Sequence, residues 1–297
     1  MLKLLDRFYY LCPQRNIAWL GIRFCIRVLA NIYVRYFMPI RSRKTEITKD
    51  TIIISLTSFP ARINNIWMNI ATLLNQNVDN IHVILWLSVK QFDGEESLPK
   101  SLLKLKAKGL DIRFVDDDLR PHKKYYYTIL AYPDNDFITV DDDILYRPDI
   151  ISILIRCHIK FPQCIICNKA VIISKSPYSS WSYNRDFQKP LSNILPTGVG
   201  GVYYPAHIFD NSPLHNINGI KKTCLNADDI WLNFISRYKN RHIVQTGLGT
   251  ELLSILSSQK RALSKENVGN SKNDEQINLL SNWALSELGC DFYLNIQ

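Results

Sequence analysis

The stretch Phe137-Ile-Thr-Val-Asp-Asp-Asp-Ile-Leu-Tyr146 decides how the chain is read. Phe137, Ile138 and Val140 are β-formers in a short apolar run, so Asp141, Asp142 and Asp143 fall where a buried strand ends and the chain meets solvent. Three adjacent carboxylates repel one another unless a cation or hydrogen-bond donors offset the charge, and hard oxygen ligands select Mg²⁺ or Mn²⁺. A metal-bound phosphate ligand suits such a place, and a solvated acidic turn is the alternative. The strand in front and the motifs around the triplet favour the ligand site.

Outward from the triplet, strand and helix alternate from residue 51 onwards. The pattern predicts strands at Ile52–Leu56, His82–Leu87, Ile112–Val115 and Phe137–Val140, with helices at Pro60–Asn77, Leu98–Lys108 and His122–Tyr132 between them. Such alternation is the signature of an α/β fold, a mostly parallel twisted sheet with helices on both faces and ligands at the carboxyl ends of the strands. Both the triplet and the turn Ser55-Leu-Thr-Ser58 occupy such ends. The second half is less regular, with strands near Ile165–Ser174 and Arg241–Gln245, a loop at Pro196–Pro205, helices near Ala227–Tyr238 and Asp274–Leu288, and an exposed loop at Lys265–Asn273.

At 297 residues and 46% hydrophobic composition, the chain can bury a large core. Of its net charge of +9, +7 lies in residues 1–50, so residues 51–297 are near neutral, which argues against a nucleic-acid-binding body. In the basic segment Arg23, Arg27, Asn31 and Arg35 recur every four residues among Trp19, Leu20, Ile22, Phe24, Ile26, Leu29, Tyr33 and Phe37. That spacing predicts an amphipathic helix with a cationic edge, suited to an anionic membrane surface; packing on the domain with arginines in water is the alternative. Internal arginines make a spanning helix costly, and the charged interruptions are a poor match to a secretory signal. Seven scattered cysteines suit a reducing cytosol, and Cys164 and Cys167, in an apolar run, read as buried thiols rather than zinc ligands.

Five motifs stand in order: Ser55-Leu-Thr-Ser-Phe-Pro-Ala-Arg62, His122-Lys-Lys-Tyr125, Thr139-Val-Asp-Asp-Asp-Ile-Leu-Tyr146, Gly198-Val-Gly-Gly-Val-Tyr-Tyr-Pro205 and Ala227-Asp-Asp-Ile-Trp231. Through them the chain resembles bacterial glycosyltransferases of the GT-A type over roughly residues 51–280. The resemblance implies a GT-A-like single large domain at residues 51–297, with a nucleotide-sugar half at 51–146 and an acceptor half at 147–297, preceded by a possible membrane anchor at 1–50. It implies Mn²⁺ or Mg²⁺ on Asp141 and Asp143, with Asp142 near the ribose or metal. Thr57, Ser58, Arg62, Lys123 and Lys124 would receive the nucleotide and diphosphate, and Gly200 and Gly201 would let backbone approach donor sugar and acceptor. Local readings stay open beside these: a turn capping the helix after Ser58, a basic helix start at the lysines, and an ordinary turn at the glycines.

Asp228 and Asp229 open a helix whose dipole favours acidic residues, so capping accounts for one of them. In inverting members an acidic residue here deprotonates the acceptor hydroxyl, which points to Asp229 with Asp228 in support. The family's usual Glu-Asp is Asp-Asp here, which leaves the choice within the pair and the inverting course open. His242 is a weak candidate for a C-terminal metal ligand. The resemblance also implies a saccharide or lipid-linked acceptor, a role in surface polysaccharide or lipopolysaccharide assembly, and a place at the inner face of the cytoplasmic membrane. Two other classes remain. The triplet is similar to the Asp-x-Asp of metal-dependent phosphohydrolases, although theirs follows the first strand and expects Thr or Val where Leu145 stands. A non-catalytic membrane-associated binding protein would tolerate loss of Asp141 or Asp143.

Overall fold

The computed structural model describes residues 1–13, 16–43, 46–261 and 271–296. The expected loop at Lys265–Asn273 falls mostly outside them, and its last residues already belong to the final helix.

Twelve strands are described: β1 Ile52–Thr57, β2 Ile81–Ser88, β3 Leu110–Val115, β4 Phe137–Thr139, β5 Ile144–Leu145, β6 Ile165–Cys167, β7 Ala170–Ile172, β8 Pro190–Leu191, β9 Ile194–Pro196, β10 Val202–Tyr204, β11 Ile243–Gln245 and β12 Leu253–Ser254. Eight form one sheet in the order β3-β2-β1-β4-β10-β6-β11-β8. β3, β2, β1 and β4 pair in parallel, β10 runs against β4 and β6, β11 is parallel to β6, and β8 closes the edge in reverse. The sheet is therefore mostly parallel, as the alternation predicts. β5 with β12 and β7 with β9 form two small antiparallel pairs beside it.

Alternation along each strand divides the core in two. Ile53, Ile84, Trp86, Phe137, Ile165, Val202 and Ile243 fall in one cluster; Ile54, Val83, Leu85, Ile138, Ile166, Tyr203 and Val244 fall in the other. This is the period of two that a sheet covered on both faces demands. Helices α3 (Ile66–Leu74), α4 (Lys100–Leu103) and α6 (Ile150–Lys160) cover the second face. Helices α5 (Lys123–Ala131), α7 (Ile217–Thr223), α8 (Asp228–Tyr238) and α9 (Lys272–Leu288) cover the first. The predicted helix at Pro60–Asn77 is shorter, because residues 60–65 make turns in which Arg62 and Asn65 donate backbone hydrogen bonds to Phe59 and Arg62. The predicted strand Ile165–Ser174 breaks into β6 and β7, which belong to different sheets.

The N-terminal helices α1 (Leu2–Leu11) and α2 (Ile17–Ile32) pack on this body through a third cluster, in which Leu2, Ala30 and Val34 meet Met68, Leu145, Leu253 and Ile255. The polar row of α2 does not face outwards as the sequence suggests. Arg23 is buried, donates to the carbonyls of Tyr9 (2.7 Å) and Cys12 (2.9 Å), and pairs with Glu251. Asn31 donates to Ser254 O (3.1 Å) and accepts from Leu256 N (3.2 Å). A guanidinium and an amide satisfied by backbone and carboxylate on the body are better placed there than in water, and the apolar residues are left outside. Ile17, Leu20, Ile22, Phe24, Leu29, Tyr36 and Phe37 are exposed. Residues 17–37 are also the one described helix long and apolar enough to cross a membrane.

Candidate active site

The carboxyl ends of β1, β4 and β6 and the amino end of β10 meet at one edge of the sheet, where a cavity of about 780 Å³ opens. It is walled by residues from Tyr9 to Asn273, which gathers Thr57, Ser58, Arg62, Lys123, Lys124, Asp141, Asp142, Asp143, Asp228 and Asp229 at one place. Gly200 and Gly201 are not among its lining residues. A Cβ on Gly200 would meet Asn168 and Lys169 at 3.2 Å, and Gly201, at φ +81°, faces Leu154, Val140 and Ile138 in the core. Gly198 is the glycine at the cavity: a Cβ there would come within 3.1 Å of Asp141 Oδ1 and 3.3 Å of Lys124 Nζ. His242 is exposed at the start of β11, the end of the strand away from the cavity, and so cannot reach the triplet. Cys167 is buried in β6 and Cys164 partly buried just before it.

The triplet is held open by its surroundings. Asn69 of α3 donates to the carbonyls of Asp141 (2.8 Å) and Ile144 (2.7 Å), while Asp141 N donates to the Tyr146 hydroxyl (3.0 Å), which in turn donates to Val199 O (3.2 Å). Asn69 and Thr72, buried polar residues on a mainly apolar helix, are the sequence signal for this brace. Asp142 is buried, takes a hydrogen bond from Ser58 Oγ (2.6 Å) and pairs with Arg62, so these three cavity-lining residues are held to one another. Burial pushes the Asp142 carboxyl up, and Arg62 and Ser58 work against that. Arg62 also reaches Asp143 at 3.2 Å. The Asp143 carboxyl is pushed up to about 7 by burial, relieved in part by Arg62, and raised further by Asp141 and Asp142.

Lys124 joins the two acidic motifs. Its buried ammonium lies 3.0 Å from Asp141 Oδ1 and 3.1 Å from Asp228 Oδ2. Burial pulls its pKa down, but the two carboxylates outweigh that and hold it well above the ordinary lysine value. Lys123 turns to Asp118 (2.7 Å). The other half of the His122-Lys-Lys-Tyr125 motif sets the spacing. Buried His122 donates from Nε2 to Cys224 O (2.7 Å), just ahead of α8, and accepts at Nδ1 from Tyr125 OH (2.8 Å). This tie fixes α5 against the start of α8, and with it Lys124 against Asp228.

The acidic pair is thereby split in role. Asp228 is committed to Lys124, whereas Asp229 stays partly open and is pushed up to about 7, first by burial and then by Asp228. Asp141 and Asp143 suit a divalent cation: their donors are oxygen only, and both carboxyls line the cavity. Among the described residues no His, Cys, Asp or Glu joins them as a third protein ligand. Such a two-carboxylate site leaves the remaining positions to water and substrate phosphate, the habit of Mg²⁺ and its like.

No family model and no curated protein match the chain. Sixty-three solved chains match it in structure. A mannosyltransferase from Pyrobaculum calidifontis, in complex with GDP-Man and Mn²⁺, aligns over 100% of this chain and 79% of its own, at 11% identity and a TM-score of 0.47. A CMP:2-keto-3-deoxy-manno-octonic acid synthetase complexed with CTP covers 67% of this chain and 89% of its own, at 11% identity and 0.42. A UTP-bound UGPase from Acinetobacter baumannii covers 80% and 99%, at 11% identity and 0.39.

Tyr9, Arg27, Lys169, Tyr178, Trp181, Tyr183 and Glu251 also line the cavity and were not foreseen. Nothing near any of them in the sequence marks it, because their shared position depends on pairings between distant segments.

Proposed function

We propose that the protein is a metal-dependent, GT-A-type glycosyltransferase that moves a sugar from a nucleoside-diphosphate donor to a saccharide or lipid-linked acceptor hydroxyl. The observation that carries this reading is the arrangement within one cavity: at the end of β4 two lining carboxylates, Asp141 and Asp143, held by Lys124 and Arg62, and beyond Lys124 a separate carboxyl, Asp229, poised near 7. A phosphate-binding site alone has no need of the second acid.

Asp141 and Asp143 would hold Mn²⁺ or Mg²⁺, whose charge would offset that developing on the leaving diphosphate. Asp229 takes the proton of the acceptor hydroxyl as its oxygen forms a bond to the anomeric carbon and the bond from that carbon to phosphate breaks, its electron pair leaving with the nucleoside diphosphate. A base acting directly on the acceptor matches an inverting course. Lys124 stands between Asp228 and Asp141 and shares its one positive charge between them. The test is to titrate UDP, GDP, CDP and dTDP into wild type and Asp143→Asn with Mn²⁺ and with chelator. One nucleotide should bind wild type only in the presence of metal; equal binding under all conditions would end the metal-bridged reading.

The exposed apolar side of α1 and α2, with Leu4, Phe8, Leu20, Phe24 and Leu29 beside the exposed cations Arg7, Arg35 and Arg41, supports a second part of the proposal. These helices lie on an anionic lipid surface, at the inner face of the cytoplasmic membrane, where lipid-linked acceptors of surface polysaccharide or lipopolysaccharide assembly are found. Contact is through the apolar face, with the arginine row of α2 turned to the enzyme.

A further inference from the structure

One wall of the cavity has no part in the reaction described above. The segment after β7 folds back on it: Ile172 N donates to Ser182 O (2.8 Å), Asn184 N to Ala170 O (3.0 Å), and Val171 bridges Tyr183. This brings Lys169, Val171, Tyr178, Trp181 and Tyr183 into the cavity lining together. The rings of Tyr178 and Trp181 pack with centroids 4.7 Å apart, and the Trp181 indole is fixed by its hydrogen bond to Ser176 O (2.9 Å). Tyr178 N is held by Asp274 of α9 (2.7 Å). The shelf adjoins the proposed base: after burial, the Asp229 charge is the chief influence that pushes the Tyr178 phenol up. Tyr183 is 64% exposed, and Lys169 Nζ lies 5.7 Å from its ring centre.

The Lys169 backbone is tied to Thr197 N (3.0 Å), but its ammonium makes no hydrogen bond and no ion pair among the described residues, and the nearby charges are matched with each other. Arg23 pairs with Glu251, and Asp6 takes Thr250 Oγ1 (2.8 Å) and Arg147 (3.3 Å). Burial pulls the Lys169 pKa down while Glu251 and Asp6 favour its charge without touching it, so an ammonium with no anion in contact gains from a ligand that brings one. The donor diphosphate is poorly placed to do so. Lys169 follows β6, which stands two strands from β4 across β10, about 10 Å at the usual strand spacing.

Building on the transferase reading, we propose that this wall is the acceptor subsite and that it takes an acidic saccharide: the sugar ring rests on the Tyr178, Trp181 and Tyr183 shelf, and a carboxylate or phosphate substituent meets Lys169. Aromatic faces accept the C–H side of a pyranose, and a cation beside them selects for the charged member of otherwise similar acceptors.

The test uses the full chain, saturated with Mn²⁺ and the nucleoside diphosphate it prefers, and follows binding of methyl glucoside, methyl glucuronide, glucose 6-phosphate and inorganic phosphate by ligand-observed NMR. At least one of the two acidic sugars should bind roughly tenfold tighter than methyl glucoside, as a charge-assisted contact requires. The sugar that gains tells carboxylate from phosphate, and inorganic phosphate should bind weakly because it lacks the ring. Lys169→Gln should erase the preference without changing methyl glucoside binding, Lys169→Arg should keep most of it, and Tyr183→Ala should weaken all three sugars alike. Equal or absent binding of acidic and neutral sugars to a protein that binds nucleoside diphosphate overturns the subsite alone. A loss of nucleoside diphosphate affinity in Lys169→Gln, with selectivity intact, assigns the lysine to the donor and overturns it too. Failure of wild type to bind any nucleoside diphosphate removes the transferase reading and this proposal with it.

Discussion

At the scale of single residues, the geometry around Lys124 makes two predictions. Asp229→Asn should lower glycosyl transfer by about 10²–10⁴-fold with nucleoside diphosphate affinity nearly unchanged, the mark of a base that acts in the transition state. In wild type the rate should climb as pH rises through about 7, because the proposed base can take a proton only when its carboxyl is ionised. Asp228→Asn should move that rise to lower pH, since it deletes the like charge that helps raise Asp229; a pH–rate profile of both proteins decides it. Lys124→Met should destabilise the fold by about 3–5 kcal/mol, measured by urea unfolding, because it leaves Asp141 and Asp228 facing each other with their common counter-ion gone. The sequence exposed the triplet and the Asp228–Asp229 pair plainly, since each sits at the end of a recognisable element. It did not show that Ser58 and Arg62 are occupied by Asp142, because a side chain's partner across 80 residues or more leaves no local trace.

At the scale of elements, the strands of the first half were legible because β1 and β2 are mainly apolar runs and β3 alternates apolar with charged residues, each bounded by turn residues, and helix α5 because its motif precedes a strand. Less legible was the start of α3, where turns that aim Arg62 replace helix, and α6, whose apolar run did not stand out from its surroundings. The joint between α5 and α8 is open to a test of its own. Burial pulls the His122 pKa down to about 4, so the folded protein refuses a proton that the unfolded chain accepts at about 6.5. The folded-state value is depressed; its contribution is complete above pH 6.5 and is lost as pH falls towards 4, at up to about 1.4 kcal/mol per pH unit. Denaturant unfolding of wild type and His122→Gln across that range should give a difference that shrinks with falling pH. A constant difference would show that His122 does not carry the joint's pH dependence.

At the scale of the whole molecule, the N-terminal helices belong to both the surface and the site, with Tyr9 and Arg27 in the cavity lining and Leu20 and Phe24 outside. Replacing Leu20, Phe24 and Leu29 together with Ser should release the protein from anionic liposomes in a sedimentation assay while nucleoside diphosphate binding persists. Removing residues 1–45 should instead impair the site as well, because Arg23 would no longer hold Glu251. The composition of α2 was visible in the sequence but its facing was not, because an amphipathic period fixes which residues share a side and not which side meets the protein. The contacts that settle it are long: Arg23 meets Glu251 across 228 positions, and Asp6 meets Thr250 across 244. On the ribosome α1 and α2 cannot seat their polar side until residues 250–256 have been made. The cavity, which Tyr9, Arg27 and Glu251 help to wall, is therefore completed late in synthesis.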